Sequence, residues 1–463
     1  MLPNIVWITI ESARFDATSV GGGKNGPLQE LIEQDDVRSF SSSHAHGIWT
    51  RASSASILTG TYPSHHRVGE NISDVLPDEI PTVPELLKEV GYRTICLMNG
   101  AHVDETSGLD RGFDQMIQFS RDSLLSEVPF RTLAKYVLNL RTHGGGFTTN
   151  TTKHSTSYMM ADVAKRHLAA SEKADEPLFL YSHFNDPHHP YTPPKPYFDS
   201  VASRNGYTPS EAFAVALDHN QNFLEHSAHG CDIPTDDLQL LRELHRASVR
   251  YVESQIQELY EDIQSMDRDT IVVITGDHGE LFGEDNMLAH RLSTHSAVSH
   301  VPLLVAGPTE VVEHEPERVQ HIDVMSTLLA ELGAETDSLQ GIDLRDDSRD
   351  VSIVQRAGER AQKTIETLRK MNPDFDTSGV PSGDVTVFRT DEFKYETAPN
   401  HERLVAAPDG VTDISEEHLE TIEWFRERGT EFFSGKGQAV SEERETTDLD
   451  TKTKKRLERL GYI

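Results

Sequence analysis

Two adjacent side chains, Asp277 and His278, are the clearest local signal for metal binding in this chain. They stand directly after residues 270–275 (TIVVIT), an apolar, β-branched run that predicts a buried strand. A carboxylate and an imidazole at a strand end can both turn onto one divalent cation, and oxygen and nitrogen ligands suit Zn or Mn. The pair therefore predicts one side of a metal site.

Polar residues follow two further predicted strands. Glu11 comes directly after residues 5–10 (IVWITI), and His183 and Asp186 follow residues 178–182 (LFLYS). Ligands of open α/β sheets bind outside the carboxyl ends of the strands. We therefore expect polar groups from three separate segments to meet at one edge of a sheet.

Thr50 is a candidate nucleophile. It precedes residues 51–58, which contain no helix breaker, and Thr59 and Gly60 end that run, so Thr50 is predicted to open a helix. A hydroxyl at a helix N-terminus lies at the positive end of the helix dipole, which favours an alkoxide and a bound anionic ester. A metal ion bound to the hydroxyl would lower its pKa further. The alternative role is that of a helix N-cap.

Alternating strand and helix patterns predict the architecture around these residues. Strand-like segments lie at 5–10, 92–98, 178–182, 270–275 and 301–308, and helical patterns lie at 81–91, 156–170, 238–266 and 321–332. This alternation is typical of an α/β fold with a doubly wound, mostly parallel sheet.

The chain becomes more polar after about residue 340. The remainder still contains strand-like residues 385–389 and 393–396 and a helical pattern at 416–433. We therefore expect two structural units, a catalytic domain of residues 1–340 and a small C-terminal α+β subdomain of residues 341–463.

The charge of the chain excludes some partners. The formal net charge is -33, from 76 acidic and 43 basic residues, of which 14 are lysine. Such a surface repels nucleic acid and anionic lipid, so neither is an expected partner. An acidic composition poor in lysine is typical of proteins from organisms that accumulate molar salt, where screening reduces self-repulsion, and we expect a halophilic origin.

The cellular compartment is predicted from what the sequence lacks. Two cysteines, Cys96 and Cys231, do not suggest a disulfide framework. The start of the chain has no signal-peptide pattern, and no apolar run approaches the roughly 20 residues needed to span a bilayer. We expect a cytoplasmic protein without membrane insertion, and the oligomeric state is left open.

Several motifs together resemble one family. Residues 49–63 (WTRASSASILTGTYP) are similar to the sulfatase signature C/S-x-P-x-R-A-S-L-L-T-G-x-Y-P, with Thr50 in the place of its leading Cys or Ser. Residues 11–16 (ESARFD) resemble D-x-x-R-x-D, and residues 183–191 (HFNDPHHPY) resemble H-x-x-D-P-H-x-P-Y. With Asp277 and His278 in the family's order, the chain resembles the sulfatase-like, arylsulfatase-related branch of the alkaline phosphatase superfamily over nearly its whole length.

The resemblance implies a metal-dependent hydrolase of small-molecule sulfate or phosphate esters. It implies one divalent cation (Ca, Mn or Zn) with four ligands: Glu11, Thr50, Asp277 and His278. Thr50 would attack sulfur or phosphorus, and the arginine that stabilises charge on the ester would be Arg51 or Arg291. His188, in the place of the family's H-x-P histidine, would protonate the leaving group.

The chain departs from the family pattern at the nucleophile. Sulfatases oxidise their Cys or Ser to a formylglycine aldehyde, and a threonine cannot become that aldehyde because of its extra methyl group. Thr50 would act as a plain hydroxyl, as in phosphodiesterase-like relatives. The signature's Pro and Arg are replaced by Ala52 and Ser54.

The family's two lysines are also absent. For the lysine that grips the sulfuryl oxygens, His290, Arg291 or His295 must substitute, or the contact is missing. Where many sulfatases have G-K-W-H, this chain offers only Asn99 and His102.

Two alternatives stay open from the sequence. A second metal held by Asp186 with His188, His290 or His295 would give a two-metal phosphodiesterase or mutase-like site. The absent lysines and the glutamate at position 11, where the family has aspartate, also fit a catalytically degenerate binding protein.

The charge leads to a prediction about salt. Stability should rise from 0.1 M salt into the molar range, because the Debye length falls from roughly 10 Å at 0.1 M to about 3 Å at 1 M. Thermal unfolding across this range of salt measures the stability. A melting temperature that stays flat or falls as salt is added would contradict a halophilic origin.

Overall fold

A computed structural model describes residues 1–22, 26–100, 102–120, 123–314, 316–377, 379–441, 444 and 446–447. The predicted C-terminal unit therefore extends beyond the described residues, and the boundary between residues 340 and 341 stays a prediction.

The strands, in chain order, are β1 (Asn4–Ile10), β2 (Val37–Phe40), β3 (Arg93–Met98), β4 (Gln115–Gln118), β5 (Leu178–Phe184), β6 (Thr270–Gly276), β7 (Leu281–Phe282), β8 (Leu288–Ala289), β9 (Leu303–Ala306), β10 (Ser352–Arg356), β11 (Val385–Arg389), β12 (Phe393–Ala398) and β13 (His401–Ala406).

The α-helices are α1 (Gln29–Ile32), α2 (Thr50–Thr59), α3 (Pro63–His66), α4 (Val83–Glu89), α5 (Leu124–Glu127), α6 (Phe130–Leu138), α7 (Leu140–His143), α8 (Ser157–Ala174), α9 (Lys195–Arg204), α10 (Pro209–Ala228), α11 (Thr235–Gln264), α12 (Ser296–Ser299), α13 (Glu310–Glu313), α14 (His321–Glu331), α15 (Gly358–Met371) and α16 (Leu419–Ser434).

The central sheet has seven strands in the order β2-β9-β6-β1-β5-β3-β4. Five neighbouring strands from β6 to β4 run parallel, while β9 runs antiparallel to both β6 and β2. The prediction of a doubly wound, mostly parallel α/β sheet is confirmed.

The sheet is covered on both faces, which explains the uninterrupted apolar runs of its strands. Along β1, Ile5 and Trp7 belong to one buried cluster, whereas Val6 and Ile8 belong to another. The first cluster includes apolar residues of α2, α4 and α14, and the second includes those of α8 and α11. The central sheet is therefore the middle of three layers.

The C-terminal residues form a four-stranded antiparallel sheet in the order β10-β11-β12-β13, accompanied by α15 and α16. Strands β11 and β12 and helix α16 correspond to the predicted elements, whereas β10, β13 and α15 were missed. This sheet contacts the segment that leads into α2: the Gln355 N–H donates to the carbonyl of His46 at 2.7 Å, and Gly47 and Gln355 form a parallel bridge.

A buried ion pair connects the chain after residue 340 to the central domain. The Arg349 guanidinium binds the Asp323 carboxylate at the start of α14 and donates to the Tyr62 hydroxyl at 2.6 Å. Burial alone would lower the pKa of Arg349, but the Asp323 charge outweighs it and raises that pKa above its usual value.

In the part of the chain that the structure describes, no helix combines the length and the apolar composition needed to cross a membrane.

Removing one partner of the buried pair should destabilise the fold. Arg349→Met leaves the Asp323 carboxylate buried without its cation, and the free energy of unfolding should fall by about 3–5 kcal/mol. Arg345→Met is the control, since the Arg345 and Asp343 side chains are each 27% exposed, and its loss should be about 0–1 kcal/mol. Chemical denaturation measures the free energy of unfolding of both variants. Equal losses of this free energy would contradict the assignment of Arg349 as the connecting residue.

Candidate active site

The buried carboxylate of Glu11 lies at the centre of the predicted site. Its Oε1 accepts a hydrogen bond from the Thr50 hydroxyl at 2.8 Å. Its Oε2 lies 2.7 Å from Nε2 of His183, and its Oε1 lies 3.5 Å from Nε2 of His278. The structure thus brings together residues from four distant segments of the chain.

The pairing of the central strands produces this convergence. Strand β1 pairs with β5 and β6 in parallel, with Thr9 opposite His183 and Ile10 opposite Gly276. Glu11 and Asp277 follow these paired ends and therefore lie side by side. Ser12 turns the chain with a positive φ of 52°, and its N–H donates to Asp277 Oδ1 at 3.0 Å.

Thr50 is the first residue of α2, as predicted, and it is not the N-cap. Trp49 occupies the cap position without a side-chain hydrogen bond to the helix. The Thr50 hydroxyl instead donates to Glu11 and lies 3.3 Å from His278 Nε2. The helix ends at Gly60, whose φ of 66° suits a glycine. The Thr50 hydroxyl oxygen, the atom that would react, therefore points at the Glu11 carboxylate.

Glu11, Asp277 and His278 form a group that fits a metal ion. Each offers one ligand atom within 4.8 Å of the others, and all three residues are buried. Among the described residues, Asp277 Oδ2 is buried without a hydrogen-bond partner and lies 3.4 Å from His278 Nε2, so the carboxylate needs a cation beside it. His278 Nδ1 faces the carbonyl of Gly279 at 2.8 Å, so Nδ1 can donate while Nε2 acts as a ligand, the arrangement typical of metal-bound histidine.

The electrostatics show how strongly this group attracts positive charge. Burial would lower the pKa of His278, but the charges of Asp277 and Glu11 outweigh it and raise the pKa to about 9. Burial and the Glu11 charge raise the pKa of Asp277. Burial would also raise the pKa of Glu11, but hydrogen bonds with His183 and His278 hold it well below its usual value. The negative charges of Glu11 and Asp277 thus keep a proton on His278. A divalent cation would neutralise these charges in place of that proton.

Gly279 holds the Asp277 and His278 segment against the chain before β9. A Cβ at this position would lie 2.0 Å from the carbonyl oxygen of Ala297. The close approach lets the Gly279 N–H donate to Val298 at 2.7 Å and the Glu280 N–H to Ala297 at 3.0 Å. The glycine after His278 therefore fixes where the two predicted ligands point.

Histidine side chains form the next layer of the site. The His188 ring lies 4.1 Å from that of His189 and 5.8 Å from that of His290, and the His290 ring lies 4.3 Å from that of His278. Nδ1 of His290 lies 3.0 Å from Oε1 of the buried Glu280. His188, the predicted acid, is therefore separated from the Glu11 group by one ring.

The two predicted arginines make other contacts. Arg51 is buried and donates to the carbonyls of Ile72 at 2.6 Å and Asp74 at 3.3 Å. The Arg291 guanidinium lies 5.5 Å from the centre of the Phe223 ring, and Arg291 lines a small cleft that also contains Trp49, the neighbour of Thr50. A contact of either arginine with an ester stays a prediction.

The residues of the suggested second metal are engaged elsewhere. Asp186 accepts from the hydroxyls of Ser155 and Ser157 and from the N–H groups of residues 156 and 157, at the start of α8. His295 Nδ1 accepts from the N–H of Ala297 at the start of α12. Within the described residues, the one group of three or more His, Cys, Asp and Glu ligand atoms is Glu11, Asp277 and His278.

Sequence reasoning missed two contacts of the site. His183 was expected near the sheet edge without a stated role, and it binds Glu11 from inside β5. No spacing along the chain could have placed it, because the contact depends on the pairing of β5 with β1. The pairing of Glu280 with His290 depends on the two-stranded ribbon of β7 and β8, which the sequence pattern did not predict.

A cleft of about 510 Å³ opens where the C-terminal sheet meets residues 285–295. Its lining includes Leu292, Arg356, Lys394, Glu396 and Asp409. The Lys394 ammonium contacts Asp409 at 3.5 Å, and Arg356 Nε has no hydrogen-bond partner among the described residues. Both carboxylates already accept hydrogen bonds, Glu396 from Thr294 and Asp409 from the Ser296 N–H. Arg356 and Lys394 are thus hydrogen-bond donors within a cleft that Glu396 and Asp409 also line.

Comparisons with known proteins agree with this geometry. The family model described as Sulfatase matches residues 3–334. The uncharacterized sulfatase YidJ of Escherichia coli is 22% identical over 342 residues, 71% of this chain and 67% of that protein. Arylsulfatase K of Gallus gallus is 23% identical over 403 residues, 80% of this chain and 71% of that protein.

A solved structure has the same fold. The phosphonate monoester hydrolase of Agrobacterium radiobacter matches with a TM-score of 0.69 at 17% identity, covering 97% of this chain and 99% of that chain.

Proposed function

Because this chain belongs to the sulfatase family, we propose that it hydrolyses sulfate or phosphate esters, phosphonates included, with Thr50 as the nucleophile and one divalent cation at Glu11, Asp277 and His278. The observation that carries the proposal is the position of the Thr50 hydroxyl, 2.8 Å from Glu11 and 3.3 Å from His278. A structural threonine would not need a buried carboxylate and an imidazole beside its oxygen.

The chain's own residues prepare the hydroxyl for attack. Glu11 accepts the Thr50 hydrogen bond and so orients the oxygen. The first turn of α2 adds the positive end of a ten-residue helix, which favours an anionic ester at that position. A divalent cation held by Glu11, Asp277 and His278 would neutralise charge on the ester and favour the ionised form of the hydroxyl.

The proposed reaction has two displacements. Thr50 Oγ1 attacks in its ionised form and forms a bond to sulfur or phosphorus while the bond to the leaving oxygen breaks, and protonated His188 gives that oxygen a proton. Water then attacks the same sulfur or phosphorus, neutral His188 takes one proton from the water, and the Thr50 oxygen leaves again in its ionised form. Because threonine offers no aldehyde hydrate, release by breaking a carbon–oxygen bond is not open to this chain.

The cleft beside residues 285–295 is proposed to receive the leaving group. Its lining includes Leu292, two residues along the chain from His290, and the His290 ring contacts those of His188 and His278. The donors of Lys394 and Arg356 favour a leaving group rich in hydrogen-bond acceptors. Burial lowers the pKa of Lys394 and that of Arg356, the latter to about 10, so both cations would gain from such a group.

A single ion is favoured over two. A second ion at Asp186 would have to displace the two hydroxyl and two backbone donors that this carboxylate binds at the start of α8. A non-catalytic binding protein is disfavoured because the Thr50 hydroxyl lies 2.8 Å from Glu11 and 3.3 Å from His278, where a nucleophile would be needed.

Metal content tests the proposed site. The purified protein should contain one divalent ion per chain, and chelation should abolish hydrolysis. Asp277→Asn should lose the ion because it removes a ligand charge, whereas Asp186→Asn, the matched control, should keep it. Elemental analysis after dialysis measures the metal content of the wild type and of both variants. Two ions in the wild type, with one lost from Asp186→Asn, would establish the two-metal alternative instead.

Substitution of Thr50 tests the nucleophile. Thr50→Ala should lower kcat at least about 1,000-fold, because the attacking oxygen is removed. Thr50→Ser keeps the hydroxyl and should retain much of the activity. Mass spectrometry of the wild type should find no aldehyde at position 50, and phosphodiesters or phosphonates should be hydrolysed at least as well as aryl sulfates. Strong hydrolysis by Thr50→Ala would mean that water is the nucleophile.

A further inference from the structure

An exposed apolar face lies on the three short helices α5, α6 and α7 and the loop after them. We call it the 125–147 face, and its members are Leu125, Phe130, Val137, Leu138 and Phe147, which are 90%, 82%, 58%, 85% and 79% exposed. They are five of the eleven large apolar side chains that are exposed in the described part of the chain. An apolar cluster of this kind on a soluble protein marks an interaction site.

Helix α6 has its apolar side turned away from the protein. Its buried residues are Thr132 and Tyr136, and Thr132 donates to Asp162 of α8 at 2.5 Å. Phe130, Val137 and Leu138, at spacings of seven and eight residues, lie on one exposed stripe. A helix of a globular domain normally buries its apolar stripe, and no described residue of this chain buries this one.

The helix is held firmly in this orientation. Asp162 also binds Lys135 at 2.5 Å and Arg166 at 2.8 Å. On α7, His143 stacks on Tyr158 at 4.2 Å and lies 3.1 Å from the Tyr251 hydroxyl. These contacts fix the inner side of the three helices, so the exposed stripe is not free to turn inward.

The local charge differs from that of the rest of the chain. Residues 124–147 contain three basic side chains, Arg131, Lys135 and Arg141, against one acidic side chain, Glu127, whereas the whole chain carries -33. Two copies of a strongly acidic chain repel each other least where the facing surfaces carry no excess of negative charge. The 125–147 face is such a surface.

We propose that a second copy of this chain docks on the 125–147 face, with the two α6 helices packed against each other about a two-fold axis. Such a contact is self-complementary, so Phe130 of one copy can meet Leu138 of the other. An anionic lipid surface fits less well, because three basic residues, one of them paired with Asp162, would have to hold a chain of net charge -33. The proposal is independent of the proposed function.

Sedimentation equilibrium of the full chain tests the proposal. The wild type should be a dimer, and its dissociation constant should fall from 0.1 M to 1 M salt, because screening reduces the repulsion between the copies while the apolar contact remains. The double variant Phe130→Ser, Leu138→Ser should raise the dissociation constant at least about 100-fold, since both copies lose two buried apolar side chains.

The matched control replaces two exposed apolar residues elsewhere, Val411→Ser with Leu419→Ser, which are 87% and 70% exposed, and it should dimerise like the wild type. Circular dichroism and thermal unfolding establish that both variants are folded. A monomeric wild type, or a dimer that Phe130→Ser, Leu138→Ser does not weaken, would overturn the proposal. Salt-sensitive binding of a monomer to phosphatidylglycerol vesicles would overturn it in favour of a lipid surface.

Discussion

The buried carboxylate of Glu11 is the constraint on which the rest of the site depends. Removing a charged carboxylate from water costs several kcal/mol unless donors or cations compensate it. Here the compensation comes from Thr50 on α2, His183 on β5 and His278 after β6. The ends of two strands and the start of one helix must therefore converge on the end of β1, and the three-layer fold provides that convergence.

The central sheet and the C-terminal sheet contribute different residues to the proposed function. The parallel sheet edge supplies the compact anionic group that fits a cation, and its geometry follows from strand register. The C-terminal sheet supplies Arg356 and Lys394, the cations of the neighbouring cleft. In the proposed function, the chemistry is therefore assigned to the central sheet and the contact with the leaving group to the C-terminal sheet. The same division explains why the motifs of the sequence concern the chemistry and say little about the leaving group.

The fold was predictable where a segment's own residues determine its structure. The apolar runs of β1, β5 and β6 predict strands buried on both faces, and the order of the motifs places Glu11, Thr50, Asp277 and His278 together. Strands β10 and β13 were missed because their side chains mix polar and apolar residues and depend on their neighbours in the sheet. His183 was not assigned a role because its contact with Glu11 comes from the pairing of β5 with β1, not from any spacing along the chain.

The bridge between Gly47 and Gln355 has a consequence for how the protein is made. The segment that leads into the nucleophile's helix is supported by a strand about three hundred residues further along the chain, where the Gln355 N–H reaches the His46 carbonyl. Long-range contacts of this kind form late, because the intervening chain must be ordered first. On the ribosome, a nascent chain that already contains every residue of the metal group still lacks the strand that holds the entrance to α2. Assembly of the site is therefore linked to the synthesis of a strand far beyond the last residue of the metal group.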